Sequence, residues 1–260
     1  MTILDEIVQH KREELSRRRR EVSRGELERR CAGLTPPRDF AGALTPPPGG
    51  VRLLAEVKKA SPSRGVLAER FDPLGLATVY ADNGAAALSV LTDEKYFQGS
   101  LDFLTTIRDQ VSIPVLRKDF TLDEYQLWEA RAAGADAVLL IVAILEAAHL
   151  RDLLQASTAL GLATLVEAHT ASEIDVALAA GSRIVGINNR NLKTFETRIE
   201  TSVELLPLIP RGRLAVSESG FGSADQVRRV VAAGAHAVLV GESLVRASDV
   251  AAKVRELALA

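Results

Sequence analysis

Cysteine is all but missing from this chain. Cys31 stands alone among 260 residues, so no internal disulfide can form, a usage that fits a reducing cytosol. An excess of one charge is missing too. The 32 basic and 34 acidic side chains leave a formal net charge of −2, which gives no reason to expect nucleic acid as the main partner. No apolar run approaches the roughly 18 residues a membrane span needs, so no membrane partner is expected. The first residues lack the apolar core of a signal peptide and read as a charged amphipathic helix. His10, His149, His169 and His236 lack ligand spacing, and three of them map to helices or the lower rim of the fold argued below, so no metal is expected. Neither a G-x-S-x-G elbow nor a G-x-x-x-x-G-K-[ST] loop occurs. What is there, 47% hydrophobic and 25% charged residues, is the composition of a globular, cytoplasmic protein.

Four segments resemble one another: Asn83–Leu88, Ala133–Leu139, Ala180–Val185 and Ala233–Leu239. Their glycines, Gly84, Gly134, Gly181 and Gly234, lie 50, 47 and 53 residues apart. Each follows a helical pattern and precedes an apolar run, the place of a glycine that ends a helix in the left-handed region. One strand–helix unit takes about 25 residues, so a period near 50 holds two units and four repeats imply eight strands. Strands are expected over 51–57, 86–91, 114–118, 136–141, 162–167, 184–188, 213–218 and 237–241. Several, such as Ala137–Val142, are apolar at every position, as strands buried on both faces are. Thr121 with Glu124 suggests a capping box opening a helix over Leu122–Ala133. The expected fold is an eight-stranded (β/α)8 barrel forming one domain over 1–260.

Residues 1–48 fall outside the repeat. Leu4, Ile7, Val8 and Leu15 form a helical apolar stripe, and Pro36-Pro37 and Pro46-Pro47-Pro48 punctuate the chain before the first strand. This is an N-terminal helical extension expected to pack on the barrel, over one of its mouths. Residues 1–30 hold nine basic and seven acidic side chains, so the Arg17–Arg20 run reads as a solvated helix face rather than a nucleic-acid patch.

The apolar runs end abruptly on polar residues: Glu56 and Lys58, Arg117 and Lys118, Glu167, Asn188 and Arg190, Glu218 and Ser219. In a parallel barrel the C-terminal strand ends meet at one rim, where the active site is built. Side chains two apart share a face, so Glu56 joins Lys58 and Asn188 joins Arg190. A salt bridge closing the barrel layer would explain either pair alone. Lys118, Glu167 and Glu218 arriving at the same rim argue for acid–base chemistry. The loop Lys58–Gly65 is small and basic, suited to closing over an anion. Ser219-Gly220 and Gly241-Glu242-Ser243 follow the last two strands, where this fold holds phosphate on backbone N–H groups. The Glu242 carboxylate is expected to turn away while its N–H donates.

These stretches resemble the indole-3-glycerol phosphate synthase family. The likeness rests on Ala55–Gly65, Leu91–Ser100, Leu116–Phe120, Leu165–Glu167, Gly186–Leu192, Ser217–Gly220 and Val240–Leu244, and it spans nearly the whole chain. Phe221 departs from it, standing where an aliphatic residue is expected. The resemblance implies a cofactor-free closure of 1-(2-carboxyphenylamino)-1-deoxyribulose 5-phosphate to indole-3-glycerol phosphate, with loss of CO2 and water. It implies Lys118 as general acid, Glu167 as base, and Lys58 as second acid or phosphate contact, with Glu56 and Asn188 orienting them. Arg190 and Ser61 would hold the substrate carboxylate. Phe97 and Phe120 would wall the aromatic ring, Glu218 and Ser219 would contact substrate, and Gly220, Gly241 and Glu242 would hold the phosphate. The resemblance also allows association with other tryptophan-pathway enzymes. Three rival readings are a phosphoribosylanthranilate isomerase-like barrel, a Schiff-base aldolase and a non-catalytic sensor of a phosphorylated ligand. The first resembles a family with a cysteine on strand 1, where this chain has Glu56 and Lys58.

Overall fold

In the computed structural model, which describes residues 2–191 and 194–260, eight parallel strands close into a barrel. They are β1 (Arg52–Val57), β2 (Ala87–Leu91), β3 (Val115–Lys118), β4 (Ala137–Ile141), β5 (Ala163–Ala168), β6 (Ile184–Asn188), β7 (Leu214–Glu218) and β8 (Ala237–Val240). Each pairs with its sequence neighbours, and β8 closes on β1 with Arg52 opposite Ala237 and Ala55 opposite Val240. The (β/α)8 expectation holds, with strand ends within one residue of those read from the pattern. Leu192 of the Gly186–Leu192 motif lies outside the described residues.

Alternation along each strand builds two cores. Leu54, Leu116, Leu139, Leu165, Val216 and Leu239 fill the barrel interior. Leu53, Leu88, Val115, Val138, Val166 and Val238 face outward and pack under the helices. Gly84, Gly134, Gly181 and Gly234 end their helices at φ values of +107°, +89°, +95° and +114°, as the repeat implied. The Thr121 capping box does not form. Asp123 caps the helix Glu124–Ala132 instead, its carboxylate accepting the Tyr125 N–H, while Gln126 accepts the Leu122 N–H.

The extension forms three helices: α1 (Ile3–Glu21), α2 (Arg24–Cys31) and α3 (Phe40–Ala43). They serve opposite ends of the barrel. Phe40 and Leu44 join the interior cluster from below, where Arg38 binds Asp136 and the Ile113 carbonyl ahead of β4 and β3. Helix α1 lies over the C-terminal mouth and sets Ile3, Leu4 and Ile7 into its wall. The Arg17–Arg20 run is not uniformly solvated. Arg18 turns inward to Glu14 (2.9 Å), Glu129 (2.9 Å) and Glu94 (3.0 Å), because it shares the helix stripe of Ile7, Lys11 and Leu15.

Candidate active site

Period two aims the last inward side chain of each strand at the same place. Glu56 and Lys58 arrive from β1, Lys118 from β3, Glu167 from β5, Asn188 from β6 and Glu218 from β7. All six line one cavity at the C-terminal mouth, about 850 Å³ with its opening included. Ser61, Phe97, Phe120, Arg190 and Ser219 line it too. Gly220, Gly241 and Glu242 line an adjoining groove that shares Glu56, Lys58, Arg190 and Ser219 with the cavity. The residues given site roles from the sequence are therefore in one connected space, whereas Arg117 points away from it to Asp119, Glu129 and the Gln126 carbonyl.

The charges fall into two groups. Lys58 Nζ lies 2.6 Å from Glu56. Lys118 Nζ lies 3.2 Å from Glu167 and 3.7 Å from Glu218. Burial pulls the Lys118 pKa down, but the charges of Glu167, Glu218 and Glu56 outweigh it and keep the ammonium above the ordinary lysine value. Burial pushes Glu167 up, but Lys118, His169 and a bond from Asn188 hold it below the usual carboxylate range. Glu218 goes the other way. Burial and the facing Glu167 charge push it up to about 8. One ammonium thus faces an anion and a neutral acid.

A stability test of that division follows. A carboxyl whose folded pKa exceeds its unfolded value costs stability as pH rises from 4.5 towards 8. Glu218→Gln removes the cost. Its melting temperature is expected to exceed the parent's by a few degrees at pH 8 and to match it at pH 4. Equal shifts at both pH values in a thermal melt would mean that Glu218 ionises normally.

The loop after β1 is a short hairpin, with Ala60–Ser61 antiparallel to Gly65–Val66. Arg190 donates to Ser63 Oγ on it. Glu242 departs from expectation. Its carboxylate lies in the groove wall, 3.2 Å from Arg64, 3.4 Å from Arg190 and 3.6 Å from Arg246, because three guanidinium groups converge there. Cys31 lies on α2 with Sγ 3.7 Å from the Trp128 carbonyl and takes no part in the cavity lining.

Compared with known proteins, residues 4–257 match the sequence model of a family described as indole-3-glycerol phosphate synthase. A protein of that name from Chlorobium chlorochromatii is 51% identical over 245 residues, covering 94% of this chain and 95% of the other. Another from Roseiflexus sp. is 50% identical over 264 residues, covering 98% of each. This chain belongs to the indole-3-glycerol phosphate synthase family. Its activity is that family's, a decarboxylating lyase step of tryptophan biosynthesis acting on a phosphorylated small molecule. Solved structures extend the likeness in fold alone. 3-Hexulose-6-phosphate synthase superposes with a TM-score of 0.66 at 18% identity, covering 81% of this chain and 100% of that one. Thiamine phosphate pyrophosphorylase from Pyrococcus furiosus does so at 0.59 and 16%, covering 80% and 93%.

Around this cavity, several supporting interactions are not foreseen from the sequence. Gly241 has φ −131°, which suits any residue; glycine is required because a Cβ there would overlap the Glu56 carboxylate. Gly186 makes the same room for Glu218. Asn189 is buried and ties the turn after β7 together. Its amide donates to the Ser219 carbonyl (3.0 Å) and Ser217 Oγ (3.2 Å), and its oxygen accepts the Ser202 N–H (3.0 Å). That turn carries two left-handed residues in a row, Ser219 at φ +70° and Gly220 at +91°. The doubled Asn188-Asn189 was the available signal, since two amides at a strand end face opposite ways.

Proposed function

We propose that side-chain acid–base chemistry alone closes the indole ring of 1-(2-carboxyphenylamino)-1-deoxyribulose 5-phosphate, without metal or organic cofactor. Lys118 is the general acid that protonates the ketone oxygen as the ring carbon attacks. Glu167 is the base of the dehydration. The observation that supports this best is the 3.2 Å contact between them, which keeps one as ammonium and the other as carboxylate at neutral pH. Lys58, held by Glu56, serves as second acid or phosphate contact, and Asn188 orients Glu167. Arg190 and Ser61 hold the substrate carboxylate until it leaves as CO2.

Phe97 and Phe120, with ring centroids 6.1 Å apart, wall the aromatic ring. Glu218 and Ser219 contact the substrate. Backbone N–H groups at Gly220, Gly241 and Glu242 hold the phosphate. A Schiff-base route would need a neutral amine, and Lys118 is held charged. Residues 1–260 act as one unit in the cytoplasm, without nucleic acid or membrane, beside other tryptophan-pathway enzymes.

The test is a fluorescence assay for the indole product with purified protein and no added metal. Turnover that survives a chelator supports the proposal. Tight binding without turnover would favour a ligand sensor, and turnover lost to the chelator would bring a metal into the mechanism.

A further inference from the structure

A second polar groove adjoins the main cavity and shares Leu4 and Asn188 with it. His169, Thr170 and Glu173 line it together with Glu196 and Arg198. His169 stands two residues beyond Glu167 and therefore on the same face of the chain. Its ring lies between two carboxylates. Nε2 is 3.5 Å from Glu167 Oε1, and Nδ1 is 3.4 Å from Glu173, which also accepts the His169 backbone N–H at 2.7 Å. Nε2 is shut off from solvent and makes no hydrogen bond among the described residues. One ring nitrogen thus faces the base of the reaction and the other a groove open to solvent.

The reaction needs such a link. Ring closure turns a ketone oxygen into a hydroxyl and releases an ionised carboxylate as CO2, so that step takes up one proton. Dehydration removes one proton and donates one to the departing hydroxide, so it balances internally. Each turnover therefore draws one proton from solvent, and the deficit falls on Lys118.

We propose that His169 is the entry point for that proton. As imidazolium it gives its Nε2 proton to the Glu167 carboxylate, which passes it to the Lys118 amine 3.2 Å away. The neutral ring keeps its proton on Nδ1, rotates to bring the vacated Nε2 to the groove, regains a proton there from water and turns back. One proton enters, one ammonium is restored, and no electrons are transferred. His169 acts through Glu167 and is a positioning residue, not a catalytic one. The proposal rests on the roles given above to Glu167 and Lys118.

The charges around the ring favour its protonated form. Burial draws the imidazole pKa down and the Lys118 charge opposes protonation. The bond to Glu173 and the charges of Glu167 and Glu173 more than offset both, while Glu196 and Arg198 line the same groove with opposite signs.

The test compares His169→Gln, Glu173→Gln and Glu167→Gln as kcat and KM across pH. His169→Gln is expected to lower kcat about tenfold with KM little changed, and added imidazole should restore turnover by entering the groove. Full activity, or a loss that imidazole leaves untouched, would overturn the relay. Should His169→Gln fail to fold, Glu173→Gln decides. It should shift the alkaline fall of kcat to lower pH, and an unmoved profile would overturn the relay. Near-normal turnover in Glu167→Gln would instead remove the assigned base. An inactive Glu167→Gln beside a fully active His169→Gln would sink the relay alone.

Discussion

Lys118→Ala is expected to lower kcat between about 10²- and 10⁴-fold while substrate-analogue affinity stays within a few-fold. The loss should sit near the top of that range, because two groups fail together. Without the ammonium 3.2 Å away, a buried Glu167 loses its strongest positive neighbour and takes up a proton more readily. The proposed acid is deleted and the proposed base is neutralised in one change. Lys118→Arg is a sharper probe. It keeps the charge, and with it the ionised state of Glu167, but a guanidinium does not surrender its proton near neutral pH. Its kcat should remain far below the parent's. Glu167→Gln should behave like Lys118→Ala. Steady-state indole fluorescence with equilibrium titration of an unreactive analogue checks all three. Near-normal turnover in any of them would take that residue out of the mechanism.

The second large effect lies at Lys11, which is 1% exposed on α1. Its ammonium meets Glu14 (2.9 Å), Asp93 (3.0 Å) and Asp119 (2.9 Å). Lys11→Met should destabilise the protein by about 3–5 kcal/mol, because it strands buried carboxylates without their cation. Asp119 also accepts from Thr92 (2.7 Å) and Arg117 (3.1 Å) and directly follows Lys118, so kcat should fall as well. The pH dependence has a definite sign. Burial pushes the Asp119 pKa up, but Lys11 and Arg117 outweigh it and hold it well below the ordinary 3.8. Its stabilising share is whole above 3.8 and is given up as pH falls below that value. Lys11 itself is held above 10.5 and loses nothing at neutral pH. Urea unfolding should therefore show a gap between parent and Lys11→Met that is full at pH 7 and shrinks below pH 3.8. A gap that is constant with pH would contradict the ion-pair account.

The barrel was legible because its strands are buried on both faces and its repeats end on glycines whose positive φ no other residue adopts cheaply. The candidate site was legible because alternation leaves polar residues at the inward ends of β1, β3, β5, β6 and β7. What escaped the sequence lies where a side chain is chosen for a neighbour far along the chain. Lys11 and Arg18 sit on the stripe of Leu4, Ile7 and Leu15, spaced like core positions, and a charge on such a stripe is the signal that a buried partner exists. The charge balance of residues 1–30 read Arg18 as surface and gave no reading of Lys11. Gly186 and Gly241 are required by carboxylates on β7 and β1, which no local pattern reveals. His169 lacks metal spacing, and its place beside Glu167 matters only once the second groove is seen.

The docking of α1 also sets an order of events during synthesis. Arg18 binds Glu129 across 111 residues of chain, and Lys11 waits for Asp119. A helix made before its partners must therefore hold its charged stripe in water until three barrel strands, β1 to β3, have left the ribosome behind it. Contacts of such long range form late, after loop closure has been overcome. The barrel mouth is thus completed by a helix made before the strands and among the last steps, so a nascent barrel should gain strand structure before it gains a closed cavity.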